Sequence, residues 1–311
     1  MKPIFISLIF LLTPLASADF SRTYIDSHPL QQARVNGLDI AYRTVGQGQN
    51  RPKVVAIMGL GGSHAAWGDD MISGIENAGY EVLLFDNRDT GASTRFDSWG
   101  QPRLWLQILK HRLGFSVNAP YSLNDMAADA VGLMDSLGYK DAHIIGTSMG
   151  GMIAQIIAAR YPERTRSLIS IMSTTGAPHL PPPTDMAESQ LRDLAEGEAK
   201  EVREAAIRAR GFFPDSMPRH LTAVFKVGDR SVEVASIQAE TLVLHGADDG
   251  LIPPAHGEHT AEMIKGSRYM LFEGMGHNMP ETVVPDLLVN INAHMNRVDA
   301  AGRSSGTESE S

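Results

Sequence analysis

Gly146-Thr147-Ser148-Met149-Gly150 sets a serine between two glycines. The apolar run Ala142-His143-Ile144-Ile145 leads into it, and a helical pattern from Met149 to Arg160 follows, stopped by Pro162. On a sharp strand–turn–helix junction a serine hydroxyl is lifted above the strand end, where it can act as a nucleophile. Glycines at 146 and 150 remove side chains that would collide with neighbouring backbone, and Gly151 adds room. A Gly-x-Ser-x-Gly string alone arises by chance on the order of 0.2 times in a chain of this Gly and Ser content. The flanking strand and helix therefore carry the weight. The competing reading is a plain strand–helix turn with a serine N-cap.

A serine hydroxyl needs a base to take its proton. His277, in Gly274-Met275-Gly276-His277-Asn278, directly follows the last apolar strand and is the candidate. His245 ends a strand and is expected to pack locally. His256 and His259 are spaced i,i+3, but no further ligand set stands near them, so they read as a solvated helix face and no metal is expected. A third group must orient the imidazole. Gly246-Ala247-Asp248-Asp249-Gly250 offers two acids. Asp249 lies further along the turn and can point towards His277, whereas Asp248 is placed to cap the turn.

The oxyanion formed by attack on a carbonyl needs two N–H donors. The amides of Met149 and of Leu60, in Met58-Gly59-Leu60-Gly61-Gly62, are the candidates. A phosphate loop is excluded there, because no Lys-Ser/Thr ending and no Gly-x-Gly-x-x-Gly is present. Trp67 and Met275 are candidates for an apolar substrate pocket, with ordinary core residues as the alternative.

These segments, together with Phe85-Asp86-Asn87-Arg88-Asp89-Thr90-Gly91, resemble the α/β-hydrolase superfamily over about residues 33–295. The resemblance implies a mostly parallel central sheet with helices on both faces and a small helical cap. It also implies a Ser-Asp-His order along the chain. The common superfamily pattern Asp-x-Arg-Gly-x-Gly-x-Ser has Asp89 in place of its first glycine here. That resembles the aclacinomycin methylesterase-like subgroup and implies carboxylic ester hydrolysis. Arg88 and Asp89 read as structural ions. Serine rather than Asp at position 148 argues against haloalkane dehalogenase and epoxide hydrolase chemistry. Thioesterase, lactonase, amidase, carbon–carbon hydrolase or perhydrolase action on the same machinery, and a non-catalytic binding role, are the rival expectations.

The elements that must position these residues follow from the pattern. Asn36-Gly37 joins an N-terminal hairpin within Val35 to Val45. Continuously apolar strands are expected at 53–58, 81–85, 142–146, 167–172, 241–246 and 268–272, alternating with helices at 65–78, 122–137, 149–160 and 285–295. That is the signature of a parallel sheet covered on both faces. Residues 97–120 read as a loop with a short helix. Residues 175–235, opening on Pro181-Pro182-Pro183, read as a helical cap inserted into a core of 19–174 and 236–298, and 299–311 as a disordered tail.

The chain has 311 residues, 43% hydrophobic and 20% charged, with formal net charge −9 and no cysteine. Thiol catalysis, disulfides and Cys-ligated metals are excluded. The acidic balance argues against nucleic acid and anionic membrane surfaces as partners. Lys2, the apolar run Ile4 to Leu12 and Ala16-Ser17-Ala18 form a signal-peptide pattern over residues 1–18, so an exported protein, periplasmic or secreted, is expected. The expected ligand is a small-molecule ester, with no cofactor and no stable membrane anchor.

Overall fold

Strands β3 (Lys53–Ile57), β4 (Glu81–Phe85), β5 (Ala142–Thr147), β6 (Thr165–Ile171) and β7 (Thr241–Gly246) are buried along almost their whole length. Strands that are continuously apolar must have both faces covered. With β1 (Gln31–Val35), β2 (Leu38–Val45) and β8 (Arg268–Phe272) they form one sheet in the order β1-β2-β4-β3-β5-β6-β7-β8. The computed structural model describes residues 21–48, 50–187 and 200–308. The expected export signal at 1–18 and residues 188–199 of the expected cap lie outside the described residues.

β1 and β2 form the expected hairpin. Asn36 and Gly37 take φ of 49° and 78°, the left-handed pair that a two-residue turn requires. β2 also runs antiparallel to β4, and the pairs from β4 to β8 are parallel. Successive residues point to opposite faces. Val55, Ile57, Leu83 and Phe85 pack with α4 (Leu123–Ser136) and α5 (Met149–Arg160). Val54, Ala56, Val82 and Leu84 pack with α2 (Asp69–Asn77), which follows the short α1 (Thr23–Ser27), and with the C-terminal helix. Truncating a fully buried side chain such as Leu83 to Ala should cost about 2–5 kcal/mol. α4 opens on a capping box, in which the Ser122 and Asp125 side chains each accept from the other's amide.

Two boundaries differ from expectation. Residues 65–78 are not one helix: a 3-10 turn, His64–Trp67, ends at Gly68, whose φ of 75° breaks the helical path before α2. The C-terminal helix runs Val284–Glu308, so 299–308 is helical rather than a disordered tail. Asp299 supplies the reason. Its carboxylate accepts from Arg166 at 3.0 Å and meets His143 Nε2 at 3.2 Å, anchoring the helix beyond Met295. Between β6 and β7 the described chain forms α6 (Lys200–Ala209), α7 (Met217–Val227) and the short α8 (Ser231–Val234); α3 (Leu104–Arg112) and α9 (Ala255–Met263) precede and follow. The helix after the 3-10 turn Asp97–Trp99 is α3, in the region expected to hold one short helix.

β3 lies between β4 and β5, so the chain switches direction across the sheet there. Open parallel sheets place their sites at the carboxyl ends of strands beside such a switch. Leu60 follows β3 and Ser148 follows β5 at that point.

Candidate active site

Ser148 sits at φ 53°, ψ −120°, between β5 and α5. A non-glycine residue held there costs about 1–3 kcal/mol and persists only when its surroundings over-determine it. They do. The Ser148 amide donates to the Ile171 carbonyl at 2.9 Å, and Ser173 Oγ donates to the Ser148 carbonyl at 2.8 Å. A Cβ on Gly146 would run into the Gly150 carbonyl, and one on Gly150 into the Ile57 carbonyl. Both glycines are therefore required for the turn to close.

Ser148, His277 and Asp249 come together from the ends of β5, β8 and β7. His277 Nε2 lies 3.0 Å from Ser148 Oγ, and His277 Nδ1 lies 2.8 Å from Asp249 Oδ2. An ionised carboxylate only accepts, so Nδ1 carries the proton and Nε2 is left to accept from the serine hydroxyl. Asp249 Oδ1 accepts from the amides of Leu251 at 3.0 Å and Ile252 at 2.9 Å. Burial alone would raise this carboxyl's pKa. The neighbouring His277, the hydrogen bonds from His245 and His277, and the Ile252 amide override burial and hold it well below the usual carboxylate range. Asp248 instead accepts from the Gly274 amide at 3.1 Å, fastening the acid turn to the histidine turn.

The amides of Leu60 and Met149 donate to no protein group among the described residues. The loop carrying Leu60 is held from three sides. Asn87 Nδ2 donates to the Met58 carbonyl at 3.0 Å. Gly62 pairs antiparallel with Phe212, flanked by Phe213 N–H to the Gly61 carbonyl and Ser63 N–H to the Gly211 carbonyl, each 2.8 Å. The Gly61 amide donates to His220 Nδ1 at 3.1 Å. His220 Nε2 must then carry the proton, which it gives to the Arg88 carbonyl at 3.0 Å. Complete burial, reinforced by Arg219 and Arg95 and opposed by the Arg88 carbonyl and Asp89, pushes the His220 pKa down to about 4, so the ring is neutral.

His220 belongs to α7, within the insertion, and so does its neighbour Arg219. Arg219 is 1% and Asp89 0% exposed, joined by two bonds of 2.5 and 2.8 Å. Asp89, at φ 70°, also accepts from Tyr121 Oη at 2.8 Å and the Phe96 amide at 3.0 Å. Burial would raise the Asp89 pKa, but these partners lower it overall. Arg88 pairs instead with Asp129 at 2.6 and 2.8 Å. Both ions are structural, and one of them ties the insertion to the core. No motif marks His220 or Arg219 in the sequence. The available signal was the acid at position 89, which when buried demands a cation.

Other sequence candidates fall elsewhere. Trp67 and Met275 are buried within the apolar cluster around Met58, Met71 and Leu244, so they are core residues and not an open pocket wall. His245 Nε2 donates to the Ile252 carbonyl at 2.8 Å and lies 3.5 Å from Asp249. His256 and His259 are not a solvated face. His256 bonds Thr174 Oγ1 at 2.7 Å and the Pro181 carbonyl at 2.9 Å, and His259 bonds Thr175 Oγ1 at 3.1 Å, docking α9 onto the start of the insertion. Among the described residues no cluster of three metal-ligating side chains forms.

A second serine–histidine–aspartate chain lies at the amino ends of β5 and β6. Ser167 Oγ is 2.7 Å from His143 Nδ1, and His143 Nε2 is 3.2 Å from Asp299. Ser167 and His143 are fully buried and a substrate cannot reach them. This chain locks the C-terminal helix to the sheet.

The sequence profile of the alpha/beta hydrolase fold matches residues 52–223. A rhodomycin D methylesterase from Streptomyces peucetius is 27% identical over 277 residues, covering 75% of this chain and 87% of that protein. A 2-hydroxy-6-oxo-6-phenylhexa-2,4-dienoate hydrolase from Comamonas testosteroni is 27% identical over 264 residues, covering 76% and 84%. The crystal structure of an enol-lactonase from Burkholderia xenovorans LB400 superposes with TM-score 0.64 at 21% identity, covering 86% of this chain and all of that one. The chain belongs to the α/β-hydrolase fold family and is one of its hydrolases.

Proposed function

We propose that the protein hydrolyses carboxylic esters by acyl transfer through Ser148. His277 Nε2 takes the hydroxyl proton as Ser148 Oγ attacks the ester carbonyl. The amides of Leu60 and Met149 hold the resulting oxyanion. His277 returns the proton to the leaving alcohol, and then activates the water that cleaves the acyl-enzyme. Asp249 keeps the imidazole in its Nδ1–H tautomer and stabilises the imidazolium. The observation that carries this reading is the unbroken Ser148–His277–Asp249 hydrogen-bond chain beside two undonated amides. The likeness to a methylesterase supports an ester over other acyl substrates.

A series of p-nitrophenyl esters of rising acyl length, run beside a thioester and a lactone, tests the substrate class. Ester turnover that Ser148→Ala abolishes is the expected result. Turnover of the thioester or lactone with every ester refused would overturn it. The same reading has residues 1–18 as an export signal. N-terminal sequencing of the exported protein should begin at Asp19, and retention of Met1 would contradict export by cleavage.

A further inference from the structure

Five of the ten well-exposed large apolar side chains among the described residues fall between Trp99 and Phe115: those two with Trp105, Leu109 and Leu113. Their exposure runs from 37% at Trp99 to 64% at Phe115. α3 reads Leu-Trp-Leu-Gln-Ile-Leu-Lys-His-Arg, apolar around most of its circumference. A helix of that kind is normally buried all round. Here only part of it is covered: Gln107 is buried and accepts from the Asn118 amide at 3.0 Å, and His111 stacks on Phe225 of α7 with ring centroids 5.1 Å apart. Trp105, Leu109 and Leu113 recur at i, i+4 and i+8 and so form one outward ridge. Gly114, at φ 72°, then turns the chain, and the Phe115 amide donates to the Lys110 carbonyl at 2.8 Å, fixing Phe115 at the end of the ridge.

The charge of this segment is opposite to that of the whole chain. From Ser98 to Asn124 there is no Asp or Glu, while Arg103, Lys110 and Arg112 stand among the apolar side chains. None of the three has a carboxylate partner among the described residues. The net charge of −9 counts against an anionic surface only at long range. Screening over about 8 Å at physiological salt leaves a surface touching α3 facing mainly these cations.

We propose that the outer face of α3 docks on an anionic lipid surface. The helix lies in the surface plane, its Trp and Leu side chains among the headgroups and its cations against lipid phosphates. It does not span: no described helix is long and apolar enough to cross a membrane. A second copy of the chain fits this face less well. A two-fold interface sets one patch against the same patch and so brings the Arg103, Lys110 and Arg112 cations of one copy near those of the other, with no carboxylate between Ser98 and Asn124 to offset them. The proposal is independent of the reaction at Ser148.

Flotation of the full chain with vesicles of phosphatidylcholine alone, or of equal parts phosphatidylcholine and phosphatidylglycerol, tests it. The protein should float with the mixed vesicles and bind them at least about tenfold more tightly than phosphatidylcholine alone. Brominated acyl chains should quench its emission, because Trp99 and Trp105 are exposed while Trp67 is buried. Trp105→Ser/Leu109→Ser/Leu113→Ser and, separately, Lys110→Glu/Arg112→Glu should each lose about tenfold or more in binding with an unchanged melting temperature. Absence of flotation with the mixed vesicles, or equal flotation of the triple-serine variant, overturns the proposal. So does a dimer in light scattering that the triple-serine variant dissolves, which assigns the face to a second copy.

Discussion

His220 Nδ1 accepts the Gly61 amide proton at 3.1 Å, one residue from the amide of Leu60 proposed to hold the oxyanion. A histidine of the insertion thus fixes the conformation of the loop that the chemistry depends on. His220→Ala should lower kcat for an ester by roughly 10–100-fold with a smaller change in KM, because loop geometry matters most in the transition state. His220→Asn offers a side-chain oxygen to the Gly61 N–H and should recover part of the loss. Equal kcat for both variants and wild type would remove His220 from catalysis.

The buried Asp89–Arg219 pair should behave as a unit. Asp89→Gly relieves a left-handed backbone, worth about 1–2 kcal/mol, but strips the buried Arg219 guanidinium of its two-bond partner. That leaves it only the exposed Asp97 carboxylate at 2.8 Å and the Gly100 carbonyl, at a cost of up to about 3–5 kcal/mol. The single variant should therefore be less stable in urea unfolding. Asp89→Gly/Arg219→Met should recover most of that loss. Additive losses in the double variant would contradict a coupled pair.

Acid should destabilise the fold through its buried histidines. Burial, aided by nearby arginines, pushes both His220 and His294 down to about 4. The unfolded imidazole titrates near 6.5, so below that pH the unfolded state binds more protons than the folded one. The stabilisation is complete above about pH 6.5 and is lost as pH falls towards 4, each histidine accounting for about 2 kcal/mol at pH 5. Urea unfolding at pH 7 and pH 5 should show His220→Asn losing less stability across that interval than wild type. An identical loss in both would sink the assignment.

Ser167 and His143 reproduce the spacing of a catalytic pair without its surroundings. Ser167→Ala should leave ester turnover unchanged and cost about 1–3 kcal/mol of stability, because the buried His143 Nδ1 is left without its partner. A loss of turnover without a loss of stability would contradict a purely structural role.

The trio Ser148, Asp249 and His277 was legible because each lies in a glycine-bounded turn directly after an apolar strand, and strand ends can be read from pattern. The hairpin at Asn36-Gly37 was legible for the same reason. The environment of the oxyanion loop was not. His220 and Arg219 lie on α7, a helix distant in sequence whose contacts no local pattern encodes. Closeness to a motif also misled. Trp67 and Met275 stand near Leu60 and His277 in sequence, yet both turn into the core. The end of the last helix was missed because its anchor, Asp299, works through His143 and Arg166, far away in the chain.

Covalent labelling by a fluorophosphonate, read by intact mass and peptide mapping, tests the nucleophile most directly. Wild type should gain one adduct, on Ser148, and Ser148→Ala none, while Asp249→Asn should label far more slowly because its imidazole is no longer held in the productive tautomer. No adduct on wild type, or an adduct on Ser167 or any other residue that survives Ser148→Ala, would contradict the account.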